Sequence, residues 1–232
     1  MLAQNPVVMD HAAMTAAAVL SSMAMAAAPD RPANDEEHEK APLLSFKANA
    51  EIYAEGDTTK VFYRVMSGII RTCRFLADGR RQIEAFYSAG DIFGLDIEES
   101  RGFSAEAVTD CVVRSYQQIK IADSSDGVAV HQQLFCYAMN RLVKAQEHAM
   151  LLSRRSALEK VAAFLVEWSK RSKQQGMVTL AMTRNDIADY LGLTIETVSR
   201  TLTQLDKKNL IGVPTPRQIQ VRDVHALKEL YA

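Results

Sequence analysis

Thr183-Arg-Asn-Asp-Ile-Ala-Asp-Tyr-Leu-Gly-Leu-Thr-Ile-Glu-Thr-Val-Ser-Arg-Thr-Leu-Thr-Gln-Leu205 reads as two short helices broken by one glycine. Thr183 followed by Asp186 forms a capping box, which starts the first helix at Arg184. Ile187, Ala188 and Leu191 supply its apolar side, and Gly192 permits the turn. Thr194 is an N-cap for the second helix, since its hydroxyl can satisfy an orphan N–H. Val198, Leu202 and Leu205 hold that helix to the body, leaving Ile195, Glu196, Ser199 and Arg200 outward at its N-terminal end. A helix-turn-helix presents hydrogen-bonding side chains to the DNA major groove in this way. Arg200 can donate to guanine O6 and N7, and Glu196 can accept from an exocyclic amino group of cytosine or adenine. The same two residues stand i, i+4 apart, so their alternative use is to brace each other.

Downstream, Leu210-Ile211 and Ile219-Gln-Val221 flank Pro214-Thr-Pro-Arg217, which predicts a two-stranded wing with Arg217 available to phosphate. Upstream, Met177–Ala181 reads as a short strand. Ala157–Lys170 reads as an amphipathic helix with Val161, Leu165 and Trp168 on its core face. Before it, Phe135, Ala138, Leu142, Ala145, Ala149 and Leu152 recur at alternating steps of three and four residues. Such a seam favours a partner helix wound at a shallow angle, and its alanines let two backbones approach closely. The residues point to a homodimer; packing onto the chain's own sheet is the other use of such a stripe.

From Leu43 to about Gln118 the texture is that of short strands and tight turns. Ile52-Tyr53, Val61–Met66, Ile69–Phe75, Gln82–Phe86 and Cys111–Tyr116 are rich in β-branched and aromatic residues. Ser67-Gly68 and Asp78-Gly79 are hairpin signals. Strands at this spacing predict a small antiparallel sandwich or jelly roll. Residues 1–42, rich in Ala and Met and then in Pro and acidic residues, read as a mobile extension, with a frayed helix over Ala12–Ala28. The predicted division is therefore an extension (1–42), a β-roll (43–126), a dimerisation helix (127–153) and a winged helix-turn-helix domain (154–232).

The formal net charge of −1 conceals an asymmetry: residues 153–232 carry +5 and residues 1–152 carry −6. A basic C-terminal module on an acidic body is suited to a polyanion. The cysteines Cys73, Cys111 and Cys136 are scattered without C-x-x-C pairing, so a disulfide framework is not expected and a reducing cytoplasm is. No membrane span is expected, and the apolar stretch before Ala28 lacks the basic residues of a secretory signal. Metalloprotease, phosphate-loop and nucleophile-elbow motifs are absent, as is any paired metal-ligand cluster, which argues against an enzyme.

The order of sandwich, long helix and C-terminal winged helix-turn-helix resembles the CRP/FNR family of bacterial transcription regulators over roughly residues 45–225. Ile187–Arg200 resembles that family's DNA-reading signature, and Gly90-Asp-Ile-Phe-Gly94 the turn within its β-roll. Glu196, Ser199 and Arg200, with Leu76-Ala-Asp-Gly-Arg-Arg81, are most similar to the FNR and FixK branches. The resemblance implies an α+β fold and a palindromic site with TTGAT-like half-sites. It also implies phosphate contacts from Thr183, Arg184, Thr194 and Thr197. By the same resemblance the loop Ser172–Gly176 and the hairpin 76–81 face RNA polymerase, as an activator requires. Where the cAMP-responsive branch reads a base with Arg, this chain has Ile195.

Cyclic-nucleotide binders of the family keep a Gly-Glu pair and an Arg-Ser/Thr-Ala stretch; here the corresponding residues are Gly94-Leu95 and Phe103-Ser104-Ala105. Losing that Arg removes the charge-assisted grip on a buried phosphate, although Arg101 lies two residues away. The oxygen-sensing branch holds an iron–sulfur cluster through N-terminal cysteines, yet residues 1–72 contain none and a four-iron cluster wants four thiolates. The expectation is a FixK-like factor without cofactor or effector. The alternative is a ligand- or haem-gated sensor of the same fold, for which His131 and His148 on the long helix are the available imidazoles.

Overall fold

The polar–apolar alternation between residues 43 and 117 builds two four-stranded antiparallel sheets that face each other. The computed structural model describes residues 41–231 apart from 97, 118–126, 155 and 173–175. Nearly all of the predicted extension, and most of the loop 172–176, lie outside the described residues. In one sheet the order is β1 (Leu43–Phe46), β8 (Cys111–Gln117), β3 (Val61–Ser67), β6 (Ile92–Phe93). In the other it is β2 (Glu51–Tyr53), β7 (Ser104–Ala107), β4 (Ile70–Phe75), β5 (Arg81–Tyr87). Between them lies an apolar core of Val65, Ile70, Tyr87, Phe93, Ala105, Ala107 and Val113. Tyr53 and Tyr63 stack around Phe93, with ring centroids 6.1 and 5.2 Å away.

Three strands, β1, β6 and β7, are additional to those expected from the sequence. The reason is clearest for β7, whose Ser-Ala-Glu-Ala carries no β-branched or aromatic residue. It sits between β2 and β4 in the middle of its sheet, where Ala105 and Ala107 are fully buried and larger side chains would meet the opposite sheet. Its conformation is imposed by pairing on both edges.

β5 departs from simple alternation. Thr72 pairs with Ala85 and Cys73 with Ile83, so Glu84 bulges out of register. The bulge lets Ile83 and Phe86 face the same side, away from the roll's interior. There, with Cys73, they join a second core formed largely by C-terminal helices.

Those helices are α1 (Gly127–Arg154), α2 (Ala157–Arg171), α3 (Arg184–Leu191), α4 (Ile195–Lys207) and α5 (Val224–Glu229). Trp168 of α2 meets Phe86 edge-on at 6.0 Å, and Tyr190 of α3 tilts against Phe86 at 5.3 Å. Trp168 is thus a core residue, as its position on the helix predicts. The wing differs from the two-stranded expectation. β10 (Ile211–Thr215) and β11 (Gln218–Val221) form the predicted hairpin, but β9 (Met177–Thr179) adds a third strand antiparallel to β11. Burial of Val178 and Leu180 and a 2.7 Å bond from Leu180 N–H to the Arg217 carbonyl seat it there. Among the described residues, no helix is long and apolar enough to cross a membrane.

Candidate DNA-reading site

Thr183 caps α3 as the sequence predicts. Its hydroxyl accepts from the Asp186 N–H, and the Asp186 carboxylate in turn accepts from the Thr183 N–H at 2.9 Å. At the other end, Gly192 takes φ +61°, ψ +43°, and its N–H bonds the Ala188 carbonyl. Buried Lys160 on α2 donates to the Leu191 carbonyl at 3.1 Å, placing a cation at the negative end of α3. Gly192→Ala puts a side chain on a left-handed backbone without a clash, since the nearest atom is 3.5 Å from the new Cβ. We expect it to cost about 1–2 kcal/mol of stability, measured by denaturant unfolding followed by circular dichroism.

α4 begins at the Thr194 cap, whose oxygen accepts from the Thr197 N–H at 3.3 Å and lies 3.1 Å from the Thr197 hydroxyl. Val198, Leu202 and Leu205 are buried. Ile195, Glu196, Ser199 and Arg200 are all exposed on the opposite face. Glu196 and Arg200 form no ion pair, so the bracing alternative is not taken. The Glu196 backbone N–H and the Thr194 hydroxyl, with a smaller pull from the Arg200 charge, hold its carboxyl below the usual glutamate range. It is presented as an anion, an acceptor with unused lone pairs.

The outward face continues beyond Arg200 toward the C-terminal end of α4. Ser199, Arg200, Thr203, Gln204, Lys207 and Lys208 line one shallow depression along α4. Thr203 and Gln204 stand one turn beyond Ser199 and Arg200, so the i+4 rule that found the first pair also points to the second. Of the expected phosphate contacts, Thr183 and Thr194 are exposed and Thr197 is half-buried. Arg184 is half-buried, its guanidinium lowered by burial, and its Nη1 has no hydrogen-bond partner. Arg217 is exposed at the wing turn.

α1 uses two faces differently. Toward the body it is polar: Tyr137 Oη accepts from the Ile92 N–H at 2.6 Å, and Arg141 pairs with Glu84 at 2.8 Å and bonds Tyr87 Oη. His148 stacks on Tyr190 at 4.1 Å, with Nε2 2.8 Å from the Tyr190 carbonyl. The side chain of His131 lies outside the described residues. Elsewhere on the helix Phe135, Ala138, Leu142, Ala145 and Ala149 are exposed, along with Met139, Val143 and Met150, although Ala145, Ala149 and Met150 also border the cleft that Tyr87, Trp168 and Tyr190 line. Leu152 differs from the rest of the seam: it is half-buried, close to the chain's own Gly192. The seam therefore does not pack onto the chain's own sheet.

Within the roll, Arg101 is buried and turned inward. It donates to the Gly94 and Val61 carbonyls, pairs with Asp96 at 2.9 Å, and lies 4.2 Å over the Tyr53 ring. Gly94 suits this arrangement, since its φ of +74° favours glycine and a Cβ there would stand 3.0 Å from Arg101 Nη1, pressing the guanidinium aside. Among the described residues no group of three or more His, Cys, Asp or Glu is placed to hold a metal. Burial, reinforced by nearby Glu106, pushes the Cys73 thiol up to about 11. Burial also raises Cys111. At neutral pH roughly one Cys73 in 10⁴ would be thiolate. Iodoacetamide treatment of the native protein at pH 7 should leave both unmodified by mass spectrometry, whereas the denatured chain should react at both; rapid native labelling of Cys73 would contradict this placement.

A β-roll, a long helix and a capped winged helix-turn-helix on a basic module together define a DNA-binding transcription regulator. Residues 43–123 match the cyclic nucleotide-binding domain family, and residues 159–230 match the Crp-like helix-turn-helix domain family. The chain belongs to the CRP/FNR family, and within it is FixK-like. It is 43% identical over 191 residues to the nitrogen fixation regulation protein FixK of Azorhizobium caulinodans, covering 80% of this chain and 77% of that one. To FixK of Rhizobium meliloti it is 37% identical over 188 residues, covering 81% and 86%. The structure of FixK2 from Bradyrhizobium japonicum superposes with a TM-score of 0.79 at 40% identity, over 83% of this chain and 98% of that one. These relatives are regulators, not enzymes.

Proposed function

We propose that two copies of this chain, joined along α1, read a palindromic site with TTGAT-like half-sites and activate transcription in the cytoplasm without a bound effector. The observation that carries this reading is the exposed face of α4, on which Glu196, Ser199 and Arg200 stand free of one another and beside a basic groove. Ile195 beside them offers an apolar contact suited to a thymine methyl. Thr183, Arg184, Thr194, Thr197 and Arg217 would hold the phosphates that fix register. A second copy would cover the exposed apolar face from Phe135 to Met150.

Effector independence draws support from Arg101. The cation nearest the expected phosphate position is committed to the roll's own carbonyls and to Asp96, so an incoming anion would have to displace those bonds. Three cysteines, two of them buried, fall short of four thiolates for a cluster. For polymerase, the tip of the β4–β5 hairpin presents Phe75 and Leu76, which are 63% and 40% exposed. Arg81, expected at that same surface, turns inward to α3 instead. Selecting bound sites from random DNA, in air and without oxygen, tests the reading. The expected product is an inverted TTGAT repeat recovered equally under both conditions. Recovery of an unrelated or asymmetric sequence would overturn the specificity, and oxygen-dependent recovery would favour the gated alternative.

A further inference from the structure

Five charged side chains join the roll to the helix-turn-helix. Arg71 on β4 donates to Glu106 through Nε at 2.7 Å and reaches Asp186 of α3 through Nη1 at 3.0 Å. Arg81, the first residue of β5, reaches Asp186 at 2.6 Å and Asp189 at 2.8 Å. Asp186 is 2% exposed and is shared between two tasks. Oδ1 accepts both arginines, while Oδ2 accepts the Thr183 N–H and hydroxyl that close the capping box of α3. One buried carboxylate therefore decides where the first helix of the motif begins and binds that helix to another domain.

We propose that Arg71 and Arg81 are positioning residues for DNA recognition. They hold α3, and with it α4, at a set angle to α1, so that the two recognition helices of a dimer are already spaced for successive major grooves. This rests on the dimeric, palindrome-reading function proposed above. The physical case has three parts. Charge-assisted bonds from planar guanidinium groups constrain direction as well as distance. A carboxylate this deeply buried is held in place by its cations, because alternatives leave it uncompensated. The apolar contact of Phe86 with Trp168 and Tyr190 joins the same two parts of the fold but is less directional. A reading head already oriented loses less freedom on binding, which removes the need for an effector to order it.

The test uses Arg81→Ala, Arg81→Lys, Asp189→Asn and the double variant Arg81→Ala/Asp189→Asn. Arg81 and Asp189 lie at the rim of the network, where the fold survives their loss more readily than loss of Asp186. Affinity is measured for the palindrome, for the palindrome with one base pair added or removed between half-sites, and for an isolated half-site. Arg81→Ala should weaken palindrome binding at least tenfold and flatten the spacing preference, while half-site affinity and dimer mass change less than twofold. Arg81→Lys should recover part of the loss, and the double variant should lose no more than Arg81→Ala alone, as expected of side chains acting as one unit. Palindrome affinity and spacing preference within twofold of the unaltered protein would overturn the proposal. So would an equal loss on the half-site, which would make the contact one of stability alone. If the unaltered protein itself shows no spacing preference, the palindromic reading fails first and this inference with it.

Discussion

Replacing Arg200 by alanine should abolish sequence preference at the base pair it reads while leaving the protein folded, dimeric and able to bind DNA non-specifically. Arg200 is exposed, forms no ion pair with Glu196, and lies on the face of α4 opposite the buried Val198, Leu202 and Leu205. Its removal should therefore not disturb the core. A bidentate contact to guanine is worth about 1–3 kcal/mol of discrimination, and a symmetric site uses it twice. Discrimination between a TTGAT palindrome and one altered at that base pair should fall by roughly 30-fold or more. Arg217→Ala provides the contrast. As a phosphate contact it should weaken binding to both sequences alike and lower the salt dependence by about one charge per protomer. Competition binding at several salt concentrations separates the two outcomes. Retained discrimination in Arg200→Ala would remove this residue from base reading.

Leu142→Asp should convert the dimer to monomers and cost the palindrome roughly 10²–10⁴-fold in affinity, the gain that a linked second site ordinarily contributes. Leu142 is 50% exposed on the single chain, in the middle of an apolar surface that runs from Phe135 to Met150, which are 64% and 54% exposed. A carboxylate there disturbs nothing within the protomer, but in a dimer it would be buried without a partner. Sedimentation equilibrium at micromolar concentration should return the mass of one chain, with an unchanged circular dichroism spectrum and unchanged half-site binding. A dimer of undiminished strength would place the interface elsewhere.

The helix-turn-helix was legible almost residue by residue because each of its signals is local. A capping box spans four residues, a left-handed turn needs one glycine, and a recognition helix declares its buried face by spacing alone. The structure places Thr183, Asp186, Gly192 and Thr194 in those roles. The seam of α1 was legible for the same reason, apart from Leu152, whose environment depends on how α1 meets Gly192. The β-roll was legible as a class but not strand by strand. β7 has a composition that favours no strand, and the bulge at Glu84 reverses the alternation on which strand faces are predicted.

The sequence by itself determined the helix-turn-helix, the outward set of Ile195, Glu196, Ser199 and Arg200, and the apolar seam, since periodicity and capping act over a few residues. Tertiary structure alone decided three things: the inward turn of Arg101 onto the roll's own carbonyls, the third strand of the wing, and the attachment of the roll to α3 through Arg71, Arg81, Asp186 and Asp189. Arg71 and Asp186 are 115 positions apart, and no periodicity reaches that far. Whether an arginine meets DNA, polymerase or a buried aspartate depends on which surfaces the packed core brings together.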